Sequence, residues 1–464
     1  MTSHQSVTVI GAGISGLTAA RRLLQARTEL GVTVIDAGTR SGGMVETEHW
    51  QGLTIDHGPE GVITTKPEAL DLIDALGMTE DLVVSGPAPR RTFIARDGQL
   101  RPLPYGILNP TRRAAKNLLL SGLLSPRDKL RIAAEPLIRR RRELHDESVG
   151  AFVRRRFGQG MLDSLVDPLI GGIHGDSPDR LSAEMLIPAL RRVELQGRSV
   201  AFHALRRGKA SGAERLPPLV TLKGGMGSLT DRLASDLGDS LRLGERATAI
   251  TRDASQWLVH LEDGPAARSD GVIVAIPCEP AADLLRPHDA ELAAAVGALP
   301  SSPSQTVTLI WSSSHLTPPQ DGTGFLVPRS EQRHLAACTW TTAKWHHRSE
   351  DNSVMVRCYM RAPGASDDEL ISMAREELAP FTDLSASPKR TIVRQVPAAL
   401  PVMEIGHQSR VAAIHEQVAR LGLLALAGAG LCGSGLPACI RSGNQAADNI
   451  ISALDDSGRV LGES

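Results

Sequence analysis

Three glycines near the amino terminus, Gly11, Gly13 and Gly16, stand at the spacing that lets a chain wrap a pyrophosphate. A β-branched run at 7–10 precedes them, and a helical apolar pattern through Leu17, Ala20, Leu23 and Leu24 follows. In such a strand, turn and helix, Gly11 permits the tight turn and Gly13 lets the backbone approach the phosphates. Gly16 lets the helix pack close to its sheet. Unpaired N–H groups at the helix start, around Ile14 and Ser15, then meet the negative charge. A second strand is expected at 32–35 and ends in Asp36, 20 residues beyond Gly16, where a carboxylate accepts bonds from ribose hydroxyls. Strand, helix and acid together select a dinucleotide site over a glycine-rich turn of another kind.

The next residues choose between dinucleotides. Ala37 to Gly43 reads AGTRSGG, an arginine followed by paired glycines, and resembles the second flavin motif of the amine-oxidase superfamily. That resemblance selects FAD over NAD. It implies that Ala37, Gly42 and Gly43 pass close to the cofactor and that Arg40 meets its pyrophosphate.

These residues must be held by a large frame. A chain of 464 residues is too long for one core, so two or three domains are expected. With 41 % hydrophobic residues it is globular. Aromatics are only 3 % and the formal charge is -1, which argues against a nucleic-acid partner. The five cysteines are scattered without a CxxC pair, so neither a disulfide framework nor a metal site is implied. No signal peptide is read at the start and no apolar window is long enough to span a membrane, so the cytoplasm is expected.

The fold class expected is α/β with mixed α+β parts. A Rossmann-type FAD-binding domain is assembled from 1–65, 211–280 and 416–464. A sheet-containing substrate domain takes 66–110 and 281–415, and a helical insertion takes 111–210. Helical spacing predicts a helix over 66–77, with a hairpin pairing 91–94 with 100–104. Strands are expected at 247–250, 257–261, 272–276, 305–311, 324–327, 335–340, 353–360 and 423–426. Helices are expected at 228–237, at 367–378 with Ser366 as its N-cap, and at 438–454. Within 111–142, leucines interleave with cations, compatible with a peripheral membrane contact or with an ordinary solvated helical hairpin.

Further stretches carry a closer likeness: Gly58-Pro59-Glu60, 100–104, 148–156, Pro168 to Gly175 (PLIGGIHG) and Lys223 to Gly227. Ala399-Leu400-Pro401 with Gly406-His407, and Gly435 to Gly443 (GLPACIRSG), complete the set. The chain resembles the bacterial coproporphyrinogen III and protoporphyrinogen IX oxidases over nearly its whole length. The resemblance implies non-covalent FAD, oxygen as acceptor, hydrogen peroxide as product, and a six-electron conversion of porphyrinogen to porphyrin. The GLPACI wording favours the tetracarboxylate coproporphyrinogen III over the dicarboxylate protoporphyrinogen IX. A downstream haem-pathway enzyme is a possible partner. Two departures from the family pattern face the expected active-site side. Gly428-Ala429-Gly430-Leu431-Cys432 lacks the usual aromatic, and Val402-Met403 replaces a more polar or aromatic pair.

In the reaction implied, hydrogen leaves a meso carbon for flavin N5, and no strong side-chain base is mandatory. None is convincing here; His174 and His407 read as pocket or structural residues before proton shuttles. Propionates call for cations, and the resemblance points to Lys66, with Arg91, Arg192 and His174 as further substrate contacts. It also places Gly58, Pro59, Gly430, Leu436 and Pro437 along the flavin, and the backbone of Ala247 at the adenine. An amine oxidase is the enzymatic alternative, and a flavin-fold scaffold without turnover is the non-enzymatic one.

Overall fold

The computed structural model describes residues 5–85, 91–104, 111–141, 145–197, 199–206, 219–254, 256–312, 322–351, 353–382 and 386–462. Its nucleus is a five-stranded parallel sheet in the order Leu241–Leu243, Gly31–Asp36, Ser6–Ile10, Gly271–Val274 and Leu424–Leu426. The three central strands are runs of valine and isoleucine, the composition of a sheet covered on both faces. Helices Ile14–Ala26, Gly227–Leu237 and Leu436–Gly462 cover one face through Leu17, Leu23, Leu229, Ile440 and Ile450. Cys278–Leu285, Ala290–Gly297 and His407–Leu421 cover the other through Leu285, Leu292 and Ile414.

The first and last helices touch backbone to backbone. A Cβ at Gly443 would stand 2.2 Å from the Ser15 carbonyl, so only glycine admits this approach. The two glycine-rich helix starts therefore lie side by side, and the Ser15 hydroxyl donates to the Cys439 carbonyl at 3.0 Å.

A second, seven-stranded sheet runs Arg390–Pro401, Ser301–Trp311, Val354–Met360, Leu335–Trp340, Gly322–Leu326, Arg91–Arg96 and Gln99–Pro102. The 91–102 hairpin is thus the far edge of a sheet built mainly from residues beyond 300. Strand Arg390–Pro401 was not anticipated, because Pro397 and Pro401 interrupt its pattern. It is an edge strand paired on one side only, and Pro397 falls where its register with Ser301–Trp311 shifts. Proline is tolerated at such positions. The helix Asp367–Leu378 begins as expected, with Ser366 and Glu369 forming a capping box.

The described residues of 111–206 fold mainly as helices around Leu118, Phe152, Leu165 and Val193. Leu162–Gly171 is wound wider than an α-helix, with Pro168 inside it, where the missing N–H and bulky ring would break a tighter turn. The basic clusters of this region divide between inside and outside. Arg139 and Arg140 are exposed, whereas Arg156 is fully buried against Glu135, with Glu194 beside it. Leu120, Leu130 and Leu137 present exposed apolar surface nearby. No helix among the described residues is long and apolar enough to cross a membrane.

The two sheets are tied by a buried carboxylate. Asp56 accepts the Met226 amide at 2.9 Å, the Thr47 hydroxyl and the Arg348 guanidinium, and Arg348 also reaches the Thr221 hydroxyl at 2.8 Å. Arg357, rooted in the large sheet, donates to the carbonyls of Asp56, His57 and Gly58 at 3.1, 2.6 and 2.7 Å. Removing one partner of a buried pair strands the other charge, at a cost of about 3–5 kcal/mol. Arg348→Met should therefore lower stability by that amount. In a chain this long the loss appears as a melting temperature lower by only about 3–5 °C. An unchanged melting curve would show that Asp56 is not held by this cation.

Candidate functional site

The amino-terminal glycine turn forms a floor with open space in front of it. Helix Ile14–Ala26 starts at Gly13 with no side-chain cap and no acid in its first turn, so its leading N–H groups face outward unpaired. A Cβ at Gly13 would meet nothing within 4 Å, whereas one at Gly16 would stand 1.9 Å from the Gly11 carbonyl. Gly13 thus borders free space and Gly16 seals the helix to the turn. The second loop lies against the first. Gly42 N–H donates to the Ala12 carbonyl at 2.8 Å, and a Cβ at Gly43 would come 3.2 Å from Gly13 Cα. Gly58 packs tightly on the same loop, since a Cβ there would lie 1.8 Å from the Met44 carbonyl.

Asp36 sits where the loops meet. One carboxylate oxygen accepts the Ala12 amide at 2.6 Å and the other the Gly38 amide at 2.7 Å. Each oxygen keeps a second acceptor site, enough for a pair of hydroxyls. The Glu245 amide donates to the Asp36 carbonyl, which brings the strand beginning at Ala247 to this end of the sheet. Arg40 turns onto its own loop, donating to the carbonyls of Ser41 and Gly43 at 3.0 and 2.7 Å and to Glu46 at 2.9 Å. Its side chain shapes the second loop here. The uncapped helix start and glycine-lined cradle supply donors for a pyrophosphate, and the poised carboxylate supplies acceptors for ribose hydroxyls.

A second group of residues gathers around the helix Glu68–Ala75. The expected helix over 66–77 is shorter than that, since Pro67 disfavours helix at Lys66 and Gly77 ends it with φ +71°. Lys66 is left on an exposed loop, near enough to His174 of the GGIHGD segment for its charge to act on that ring. Burial, and then the Lys66 charge, push the His174 pKa down to about 4. The ring is neutral near pH 7 and offers hydrogen bonds, not a charge. Ile63 and Ile173, neighbours of these two residues in sequence, expose apolar surface. The turn at Gly175 packs on Leu400, so two stretches that carried the family likeness meet in space.

Arg91 is an exposed residue at the start of its strand, and Arg192 is exposed on the helix Pro188–Gln196. It is the preceding Arg191 that turns inward, to Glu194 and Glu147. His407 is fully buried at the start of its helix, and burial with the Arg410 charge lowers its pKa. Neither ring nitrogen is solvent-accessible, which fits a packed residue beside Gly430 better than a proton shuttle. Val402 and Met403 are buried too, and the Met403 carbonyl accepts the Ser182 amide at 2.7 Å. This pair joins the helical region to the large sheet.

Two residues expected from the sequence and two that were not complete the region. Leu436 and Pro437 are buried at the start of the last helix. Just beyond them Arg441 pairs with Glu68 and donates to Cys432. Burial pushes the Glu60 carboxyl up, but Lys344 and Arg357 outweigh it and hold it below its ordinary value. The only available signal for Glu60 was its place in the Gly58-Pro59-Glu60 stretch; nothing marked Arg441 beyond the GLPACIRSG motif.

The family model for flavin-containing amine oxidoreductases matches residues 14–451. A coproporphyrinogen III oxidase of Propionibacterium freudenreichii is 31 % identical over 97 % of this chain and 92 % of its own. The mitochondrial protoporphyrinogen oxidase of Nicotiana tabacum is 28 % identical over 98 % of this chain and 96 % of its own. A crystal structure from Exiguobacterium sp. 255-15, provisionally described as a protoporphyrinogen oxidase, superposes with a TM-score of 0.85. It is 28 % identical and covers 98 % of this chain and 100 % of its own.

Two substitutions separate the fold from the cradle. Gly16→Ala forces the first helix off its turn and should cost about 2 kcal/mol or more without any ligand. Gly13→Ala should change the ligand-free protein by less than about 1 kcal/mol and act on dinucleotide binding instead. Calorimetry with and without added FAD reads both. Equal losses of ligand-free stability would contradict the division of roles.

Proposed function

This chain belongs to the family of flavin-containing amine oxidoreductases, and on that premise we propose that it is an oxygen-dependent porphyrinogen oxidase of haem biosynthesis. The observation that carries the reading is similarity to porphyrinogen oxidases along almost the entire chain. Coproporphyrinogen III is the preferred substrate, supported by the Propionibacterium relative and by the GLPACI wording. The tobacco relative and the Exiguobacterium structure favour protoporphyrinogen IX as the second reading.

FAD, bound non-covalently, supplies the two-electron acceptor. The amides of the Gly11–Gly16 turn, including Ile14 and Ser15, hold its pyrophosphate together with Gly42 and Gly43, and Arg40 keeps that second loop in shape. Asp36 takes the ribose, Ala37 and Ala247 lie at the adenine end, and Gly58, Pro59, Gly430, Leu436 and Pro437 border the ring system. The FAD-binding domain draws on 1–65, 211–280 and 416–464, with 66–110 and 281–415 forming the substrate domain and 111–210 the helical one.

The protein's work on the substrate is orientation. Lys66 takes a propionate at the rim. Neutral His174 donates or accepts a hydrogen bond beside it, and Ile63 and Ile173 lie against the apolar macrocycle. Three turnovers remove six hydrogens from the porphyrinogen and convert three oxygen molecules to three of hydrogen peroxide. No side-chain base is required where the pyrrole N–H can release its proton to solvent. Exposed Leu120, Leu130 and Leu137 among cations support peripheral contact with an anionic bilayer, with the protein otherwise cytoplasmic.

Rates with anaerobically prepared copro- and protoporphyrinogen, followed by product fluorescence and oxygen uptake, test the substrate. A higher kcat/KM is expected for coproporphyrinogen III, and preference for protoporphyrinogen IX would reverse the assignment. In the same assay Lys66→Ala should raise KM about tenfold, the worth of one charge-assisted hydrogen bond, and leave FAD affinity unchanged. Equal KM values would remove Lys66 from the substrate site.

A further inference from the structure

The stretch Gly428 to Cys432, which lacks the family's usual aromatic, ends in a thiol with an unusual setting. Cys432 closes the short helix Ala429–Cys432, and the chain turns back through Gly433, Ser434 and Gly435 into the last helix. A Cβ at Gly433 would lie 3.6 Å from Ala438 Cβ, so the two arms of this turn are in contact. Cys432 and Cys439 flank that contact on opposite arms. Burial, and to a lesser degree the nearby Cys432, raise the Cys439 pKa. Arg441 spans the same turn. Its Nε donates to Cys432 Sγ at 3.4 Å and its Nη2 to the Cys432 carbonyl at 3.3 Å, while Nη1 is held by Glu68.

The other cysteines lack this setting. Cys338 and Cys358 are buried opposite each other in the large sheet. Cys278 is backed against Gly430, and burial raises its pKa. Among the described residues, Cys432 is the cysteine whose sulfur receives a guanidinium N–H, the arrangement that favours a reactive thiolate. Both members of the pair are only half-buried. Cys439 adjoins Ser15, in the first turn of the helix that faces the dinucleotide cradle.

We propose that Cys432 is a peroxide-reactive thiol and that Cys439 resolves its oxidised form to a disulfide. In the first step the Cys432 thiolate attacks one oxygen of hydrogen peroxide. The S–O bond forms, the O–O bond breaks, and hydroxide leaves to become water. Sulfur loses two electrons and peroxide gains them. In the second step the Cys439 sulfur attacks Cys432, the S–S bond forms, and the sulfenic oxygen departs with the Cys439 proton as a second water. Two thiols and one peroxide give one disulfide and two waters. The Arg441 guanidinium holds the negative charge on Cys432 before attack. The oxidase reading enters only in naming a local source of peroxide.

The test uses FAD-loaded protein treated with one equivalent of added hydrogen peroxide, then alkylation and peptide mass spectrometry. The expected product is a species joining Cys432 to Cys439, two hydrogens lighter, and reversed by a thiol reductant. In Cys439→Ser, dimedone should tag Cys432 about tenfold faster than Cys278, and the added Arg441→Gln change should remove most of that advantage. Cys432→Ser should leave Cys439 reduced. Cys432 remaining alkylatable at full yield, or tagging no faster than Cys278, overturns the proposal. Because peroxide is added, the disulfide forms even in a protein that oxidises no porphyrinogen. An active oxidase whose Cys432 stays reduced rejects this inference alone.

Discussion

The architecture hangs on a carboxylate with almost no access to water. Asp56 leaves the hairpin Thr47–Trp50 and Leu53–Asp56 and collects three donors from three parts of the chain: Thr47, Met226 and Arg348. Water cannot satisfy such a group, so the segments that carry its donors must assemble for the charge to be tolerated. Arg357 repeats the constraint from the opposite side, with its guanidinium spent on the carbonyls of Asp56, His57 and Gly58. The segment leading to Gly58 and Pro59 is thereby fixed to the large sheet. A loop that borders the cradle is thus tied to the sheet whose Leu400 packs on Gly175, next to His174.

That constraint explains how the residues proposed for cofactor and substrate, drawn from distant segments, can be positioned together. The Gly42–Gly43 loop meets the Gly11–Gly16 turn at Ala12 and Gly13, and the last helix meets the first at Ser15 and Gly443, where position 443 admits only glycine. Lys66 stands between two neighbours of opposite effect. His174 is kept neutral near it, and Glu68 is held below its ordinary value in spite of burial, by its own backbone amide and then by Arg441. On the reading proposed above, Lys66, the neutral His174 ring and the exposed Ile63 and Ile173 would suit an apolar ring with carboxylate arms.

The cradle was legible because phosphate chemistry demands fixed local spacing. Gly11, Gly13, Gly16 and Asp36 lie within one short stretch, and each role follows from backbone geometry. The junction was not legible. Asp56 and Arg348 are separated by 292 positions, and a lone aspartate in a strand reads as an ordinary polar residue until its partner arrives. Strand Arg390–Pro401 was hidden by prolines that only an edge position excuses. Nothing in the sequence marks the arginines of 154–156 and 191–192 as buried. Yet Arg155, Arg156 and Arg191 neutralise the buried acids Glu135, Glu147 and Glu194, whose spacing along the chain shows no pattern.

The most direct measurement is the reductive half-reaction in a stopped-flow instrument. FAD-loaded protein is mixed without oxygen with coproporphyrinogen III, and flavin absorbance is followed. The oxidised flavin band should bleach as porphyrin fluorescence grows, and should return when oxygen is admitted, with peroxide released. An unbleached flavin with both porphyrinogens, or bleaching by simple amines instead, would contradict a porphyrinogen oxidase.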